Sequence, residues 1–132
     1  MHAGTATAER IVELPATAAA AGMARRELAA TPGLGGELGY KVLLLSSELS
    51  AVFVANVEPR PDRVLRLSIA VASERVRIGV AGDVPHDSAA TLLHSRETPS
   101  LGGYGLQIVD RLADAWGIDD AGTASIWFQL SR

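Results

Sequence analysis

The sequence predicts an α+β two-layer sandwich, in which about three helices cover one face of a mixed, largely antiparallel sheet. Residues 37–56 form a long helical pattern that contains no Pro. Two alternating runs between residues 65 and 80 are joined by a tight connection, which is typical of a hairpin. A glycine-led helical pattern then precedes a final alternating run. Strands that alternate in this way bury one face, so the helices are expected on that face alone.

The first part of the chain predicts a strand and a helix. Residues 1–9 read as a loose lead-in, and residues 10–14 alternate as a short strand that Pro15 ends. Thr17 is a suitable cap for a helix over residues 18–30, which is rich in Ala, Met and Leu. A strand followed by a helix is therefore expected before the long helix begins.

The long helix from Glu37 to Asn56 is apolar almost all round, which predicts a buried position in the centre of the domain. Glu48 is the one acidic group inside it. A carboxylate in such surroundings needs a partner, access to solvent or a chemical role. The alternative is that Glu48 lies at the margin of the apolar face.

After the long helix, the pattern predicts a hairpin whose arginines lie on a solvated outer face. Residues 82–99 lose all periodicity, and a loop of this length is usually functional or mobile. Its histidines and acid, His86, Asp87 and His94, lack a well-placed further ligand, so no metal site is predicted. A turn over residues 119–123 and a strand over 126–130 complete the chain.

Composition narrows the function classes. A chain of 132 residues is expected to form a single domain, residues 1–132, with a core of its own. The net charge of −3, with scattered basic residues, argues against a nucleic-acid surface. No apolar run approaches the roughly 20 residues that span a bilayer, so no membrane partner is expected. Cysteine is absent and residues 1–7 lack a signal-peptide pattern, which leads us to expect a cytoplasmic protein.

The glycine-rich stretch before the third helical pattern is the most distinctive local motif. Gly102, Gly103 and Gly105 stand directly before an amphipathic run in which Leu106 to Trp116 have helical spacing. Unpaired amides at a helix start can hold an anion such as phosphate, and glycine lets the backbone approach it closely. Alternatively, these glycines serve only the tight turn into a core helix.

These motifs together resemble a known family. The segments that carry the resemblance are Ser47-Glu48-Leu49, Gly102 to Leu106, Asp110 to Gly117, and Ile126-Trp127-Phe128. The chain resembles the histidine-kinase-like (Bergerat) ATP-binding fold, and within it the small bacterial anti-sigma-factor serine kinases, over nearly everything from Leu14 to Leu130. The resemblance implies phosphate contacts from Gly102, Gly103, Gly105 and Leu106.

The long helix departs from the pattern of that family at one position. The resemblance makes Glu48 the general base toward a substrate serine, and it implies an Asn that binds magnesium one turn later, where this chain has Val52. Magnesium requires oxygen ligands, so the resemblance implies a lost metal site. Asn56 lies about 6 Å further along the helix axis and is a poor substitute.

The adenine-binding motif also departs from the pattern. The family has Asp-x-Gly-x-Gly after its central strand, and the Asp accepts a hydrogen bond from the adenine amino group. Here Gly82 stands at the Asp position and Val84 at a Gly position. Asp83 is displaced by one residue, so only a bulge would direct it toward adenine.

The expected function follows from these departures. The glycines remain while the metal ligand and the adenine anchor are lost, which favours a regulatory pseudokinase with weak or lost ATP binding and no magnesium. Its expected partner is a sigma factor or an anti-sigma-factor antagonist, and relatives of this kind often form homodimers. The alternatives are an active ATP-dependent serine kinase and a structural or oligomerising module. Val52→Asn together with Gly82→Asp is expected to raise ATP affinity.

Overall fold

Five strands and three helices make up the part of the chain that the computed structural model describes, residues 8–55, 64–82, 106–120 and 124–132. In chain order they are β1 (Ala8–Pro15), α1 (Ala20–Ala29), α2 (Gly36–Ala55), β2 (Val64–Val71), β3 (Arg75–Gly82), α3 (Leu106–Leu112), β4 (Ala115–Asp120) and β5 (Ala124–Ser131).

The five strands form one sheet in the order β1-β2-β3-β5-β4, and every neighbouring pair is antiparallel. Alternate residues of β2 and β3 are buried, and these side chains share one apolar core with the buried side chains of α1, α2 and α3. The helices therefore cover one face of the sheet. The predicted α+β two-layer architecture is confirmed.

The predicted hairpin is also confirmed. The strands β2 and β3 pair from Val71 and Val76 onward, and the amide of Ala72 donates to the carbonyl of Arg75 at 2.9 Å. Arg66 and Arg77 are exposed, as expected for the outer face. That face points away from the helices.

Helix α2 occupies the centre of the helical layer, as its apolar pattern predicts. Its side chains Val42, Leu45, Leu49 and Phe53 are fully buried. The helix contacts α1 on one side and α3, β3 and β5 on others. Helix α2 thus packs against the other helices and against the sheet. Its side chains therefore determine how much space remains between the helices and the end of β3.

The first helix begins later than the sequence predicts. Helix α1 starts at Ala20, its N-cap residue is Ala19, and no side chain caps it. Thr17 instead accepts a hydrogen bond from the amide of Ala19 at 3.3 Å, in the turn before the helix. The assignment of Thr17 as the helix cap was wrong because its hydroxyl closes this local turn instead.

The helical reading of Trp116 was wrong as well. Helix α3 ends at Leu112, and Trp116 lies in β4, opposite Phe128 of β5. The amide of Asp114 already donates to the carbonyl of Gln129 at 2.9 Å. Asp119 belongs to the same strand, so the predicted turn over 119–123 begins too early. Pairing with β5 packs the partly buried Trp116 and Ile118 against the core, and this tertiary gain outweighs the helical spacing.

None of the helices in the described ranges combines the length and apolar character needed to cross a membrane.

Two serines on α2 give a prediction about stability. Ser46 and Ser50 are fully buried, and within the described part of the chain neither hydroxyl has a hydrogen-bond partner. An unsatisfied buried hydroxyl costs free energy, and Ala also has the higher helix propensity. We expect Ser46→Ala and Ser50→Ala to leave the free energy of unfolding unchanged or to raise it by up to about 1 kcal/mol.

Urea unfolding checks this expectation, with Ser47→Ala as the control. The Ser47 hydroxyl donates to the carbonyl of Leu44 at 3.0 Å, so its removal brings no such gain. A loss of more than about 1 kcal/mol in either buried variant would mean that the native hydroxyl is satisfied.

Candidate functional site

Helix α2 carries the two positions to which the sequence resemblance assigns the base and the metal ligand. Glu48 is half-buried, whereas Val52, one turn later, is fully buried. A branched hydrocarbon in the apolar core offers a cation no ligand. Of this pair, only the Glu48 side chain has the chemistry and the exposure to meet a polar group from outside.

The end of β3 carries the position assigned to the adenine anchor. Gly82 is buried, and the ring of Phe53 from α2 lies directly against it. A Cβ added at Gly82 would lie 2.5 Å from Cε1 of Phe53 and 2.9 Å from Cδ2 of Leu65. We refer to this arrangement as the Phe53–Gly82 contact.

The Phe53–Gly82 contact excludes any side chain at position 82 unless the surrounding core moves. Real Cβ atoms essentially never approach other atoms as closely as 2.5 Å. Phe53 is fully buried, so its ring has no solvent space into which to swing. An acid at position 82 would thus meet an aromatic ring and a leucine methyl group, where a carboxylate is strongly disfavoured.

Most of the other residues that the sequence singles out lie outside the described residues. These are Asn56, Asp83, His86, Asp87, His94, Gly102, Gly103 and Gly105. Leu106 is the first residue of α3. Among the residues that the structure does describe, no cluster of His, Asp and Glu could hold a metal ion. The structure therefore places Phe53 of α2 against Gly82 of β3, and it leaves the glycine loop untested.

The sequence reading overlooked the role of Phe53. Phe53 belongs to the apolar pattern of the long helix, but that pattern does not indicate its contact with Gly82. The available signal was a pair of residues: a large aromatic side chain directly after Val52, and a glycine at the end of a buried strand. Glycine in a strand often marks a close approach by another group.

A polar cluster lies where α3, β4 and β5 meet. The carboxylate of Asp114 accepts a hydrogen bond from the amide of Ser131 at 2.6 Å. This bond, then one from the Ser131 hydroxyl, and the charge of Lys41 hold the pKa of Asp114 below its ordinary value of 3.8. The three residues border a recess of about 290 Å³ together with Arg132. This cluster secures the last strand to the α3–β4 junction.

The Asp114–Ser131 bond predicts a pH dependence of stability. A carboxyl group whose pKa is lower in the folded state stabilises the fold while it is ionised, above its unfolded pKa of 3.8. The contribution is lost as the pH falls through the folded pKa. We expect Asp114→Asn to lower the melting temperature at neutral pH, and we expect the difference from wild type to narrow below pH 3.8.

Thermal unfolding across a pH series checks this prediction. Asp119→Asn is a suitable control because Asp119 is an exposed acid on the neighbouring strand β4. A difference between Asp114→Asn and wild type that stayed constant at every pH would exclude the ionised carboxylate as its cause.

Comparison with known proteins gives no family assignment. No protein-family model matches the chain, and no curated protein matches it at a significant level. Inferences about function therefore depend on the residues themselves.

Proposed function

We propose that this protein is a regulatory binding protein, a degenerate member of the histidine-kinase-like ATPase fold that acts by docking a protein partner. In this proposal, ATP binding is weak or lost, and magnesium has no ligand at Val52. The expected partner is a sigma factor or an antagonist of an anti-sigma factor, as in the bacterial serine kinases that the sequence resembles.

The Phe53–Gly82 contact is the observation that carries the proposal. A nucleotide site of this family needs a carboxylate after the central strand, and here that position is a glycine beneath a buried aromatic ring. The substitution is matched by its neighbour, because Phe53 uses the space that a side chain at position 82 would occupy. An aromatic ring thus occupies the space of the carboxylate that would accept a hydrogen bond from adenine.

Val52 adds a second, independent argument. Phosphoryl transfer relies on a metal ion to neutralise the charge that develops on the phosphates. Val52 is fully buried among apolar side chains and provides no oxygen ligand. A half-buried Glu48 without that metal has no activated phosphate to act on, so docking is the function that these residues support best.

Isothermal titration calorimetry with ATP, in the presence and absence of magnesium, tests the loss of nucleotide binding. We expect no saturable heat in either condition. Micromolar, magnesium-dependent binding would overturn the proposal and favour an active kinase. In that case, transfer of labelled phosphate to a purified antagonist protein, abolished by Glu48→Gln, would identify the reaction.

A further inference from the structure

The face of the sheet that points away from the helices is not uniformly polar. The middle row of residues across its strands is Ile11, Ser68, Gly79, Trp127 and Gly117. The central members, Ser68 and Gly79, are small, whereas Ile11 and Trp127 are large. The row therefore forms a depression with a large apolar side chain near each end.

This depression is a hollow of about 740 Å³. Its floor includes Ser68, Gly79 and Ala81, and its walls include Ile11, Arg77 and Trp127. Volumes of this order are typical of sites that bind ligands or side chains of a partner. The five contributing strands are all described, so the floor and these walls belong to the ordered framework of the sheet.

Arg77 is held in place at one wall. The indole of Trp127 lies over Gly117, where an added Cβ would be 3.0 Å from the ring. The guanidinium carbon of Arg77 lies 4.0 Å from the centre of that ring. A guanidinium stacked on an aromatic ring keeps its N–H groups in one plane, where they can donate to a carboxylate.

The charge of Arg77 is not neutralised within the described residues. The ion pair found there joins Arg10 to Glu27, and none of the carboxylates whose side chains the structure describes pairs with Arg77. At the opposite wall, Ile11 is 69% exposed although it lies in a regular strand. Among the described residues, the hollow thus presents a cation without a carboxylate partner and an uncovered apolar side chain, which an occupant would satisfy with an acid and an apolar group.

The backbone chemistry of the face selects a helix as the occupant. The inner strands already use their backbone groups in the sheet, so an extended segment lying on the face would leave its own amides unpaired. A helix satisfies its backbone internally, and helices pack on sheet faces. Small floor residues let a helix approach closely.

We propose that this hollow is a docking surface for an amphipathic helix of a partner protein, in which a carboxylate meets Arg77 and an apolar side chain covers Ile11. Ile11 and Arg77 are separated by two strand spacings and by two residues along the strand, about 12 Å between Cα atoms. A helix spans that distance in seven or eight residues, about 10.5–12 Å. Glu9 and Asp119 at the margins of the hollow favour basic residues in the outer turns.

This inference extends the proposed function, and it rests on the part of that proposal in which the protein docks a protein partner. The probe is a synthetic helical peptide of about 18 residues with Leu and Glu seven residues apart and Lys at both ends. A second peptide replaces that Glu by Lys. Binding is followed by the backbone amide of Ile11 and the indole N–H of Trp127 in two-dimensional NMR spectra.

We expect saturable shifts at Ile11 and Trp127 with the Glu peptide and none with the Lys peptide. Arg77→Glu should weaken binding by at least about tenfold, because it places like charges together. Arg75→Glu is the matched control, since Arg75 is exposed on the same strand and face but does not border the hollow. Ile11→Ser should also weaken binding while keeping the core intact.

Several results would overturn the docking surface. These are an absence of shifts at millimolar Glu peptide, equal binding of both peptides, and an equal loss in Arg75→Glu. Dimerisation of the free protein that Arg77→Glu abolishes would make the hollow a self-interface instead. Calorimetry with ATP on the same sample separates the two proposals, because nucleotide binding contradicts the pseudokinase and leaves the peptide result unaffected.

Discussion

Gly82→Ala is expected to lower the free energy of unfolding by about 1–3 kcal/mol, the usual cost of overpacking a core. The added methyl group would lie 2.5 Å from the ring of Phe53 and 2.9 Å from Leu65, both of which are fully buried or nearly so. Gly82→Asp should cost more because it also buries a carboxylate among hydrocarbon groups. Urea unfolding measures both variants.

Two comparisons make the Gly82 prediction specific. Gly22→Ala in α1 meets only Arg25, at 3.7 Å, so it should raise stability by about 0.5–1 kcal/mol through helix propensity. In a Phe53→Leu background the cost of Gly82→Ala should shrink, because the smaller side chain leaves room. Equal costs in both backgrounds would show that Phe53 is not the obstacle.

Val52→Asn is expected to destabilise the fold by about 2–4 kcal/mol, because it replaces packed hydrocarbon with a buried amide. Val52 is fully buried, so the new amide would not reach bulk water. Ala51→Asn is the control at the preceding position, where the side chain is half-buried, and its cost should stay below about 1 kcal/mol. Thermal and urea unfolding of the two variants provide the comparison. An equal effect at both positions would mean that the burial of Val52 is not responsible.

The packing around Val52 and Gly82 argues against a gain of ATP affinity from the two substitutions that the sequence suggests. Val52→Asn with Gly82→Asp supplies the missing chemical groups, but both changes fall in packed core, and one of them collides with Phe53. We therefore expect the double variant to unfold more readily and to gain no affinity. Repair would also require a smaller residue at Phe53.

The sequence was a good guide to the fold wherever one strong periodicity acted alone. The buried helix α2 and the hairpin of β2 and β3 follow from apolar spacing and a two-residue connection, and the structure confirms both. Strand β4 was missed because Trp116 also fits the helical spacing from Leu106 onward. Only pairing with β5, a contact between distant parts of the chain, decides between the two.

The sequence predicts which residues occupy the candidate site, but it does not predict how they pack. The sequence alone identifies Val52 and Gly82 as the residues at the two positions that the resemblance assigns to metal and adenine binding. The structure shows that both are buried. The filling of the space by Phe53 depends on how α2 lies across the end of β3, which no local pattern specifies. The hollow around Arg77 and Trp127 arises in the same way, from cross-strand register.

The most direct measurement is an amide-resolved NMR titration of the protein with magnesium and ATP. It reports on Val52, Phe53 and Gly82 individually, so a bound nucleotide at this site would be seen even if its heat of binding were small. We expect these three amides to remain unshifted up to millimolar ATP. Saturable shifts at Gly82 and Val52 in the micromolar range would contradict the central claim that hydrocarbon packing has replaced the nucleotide site.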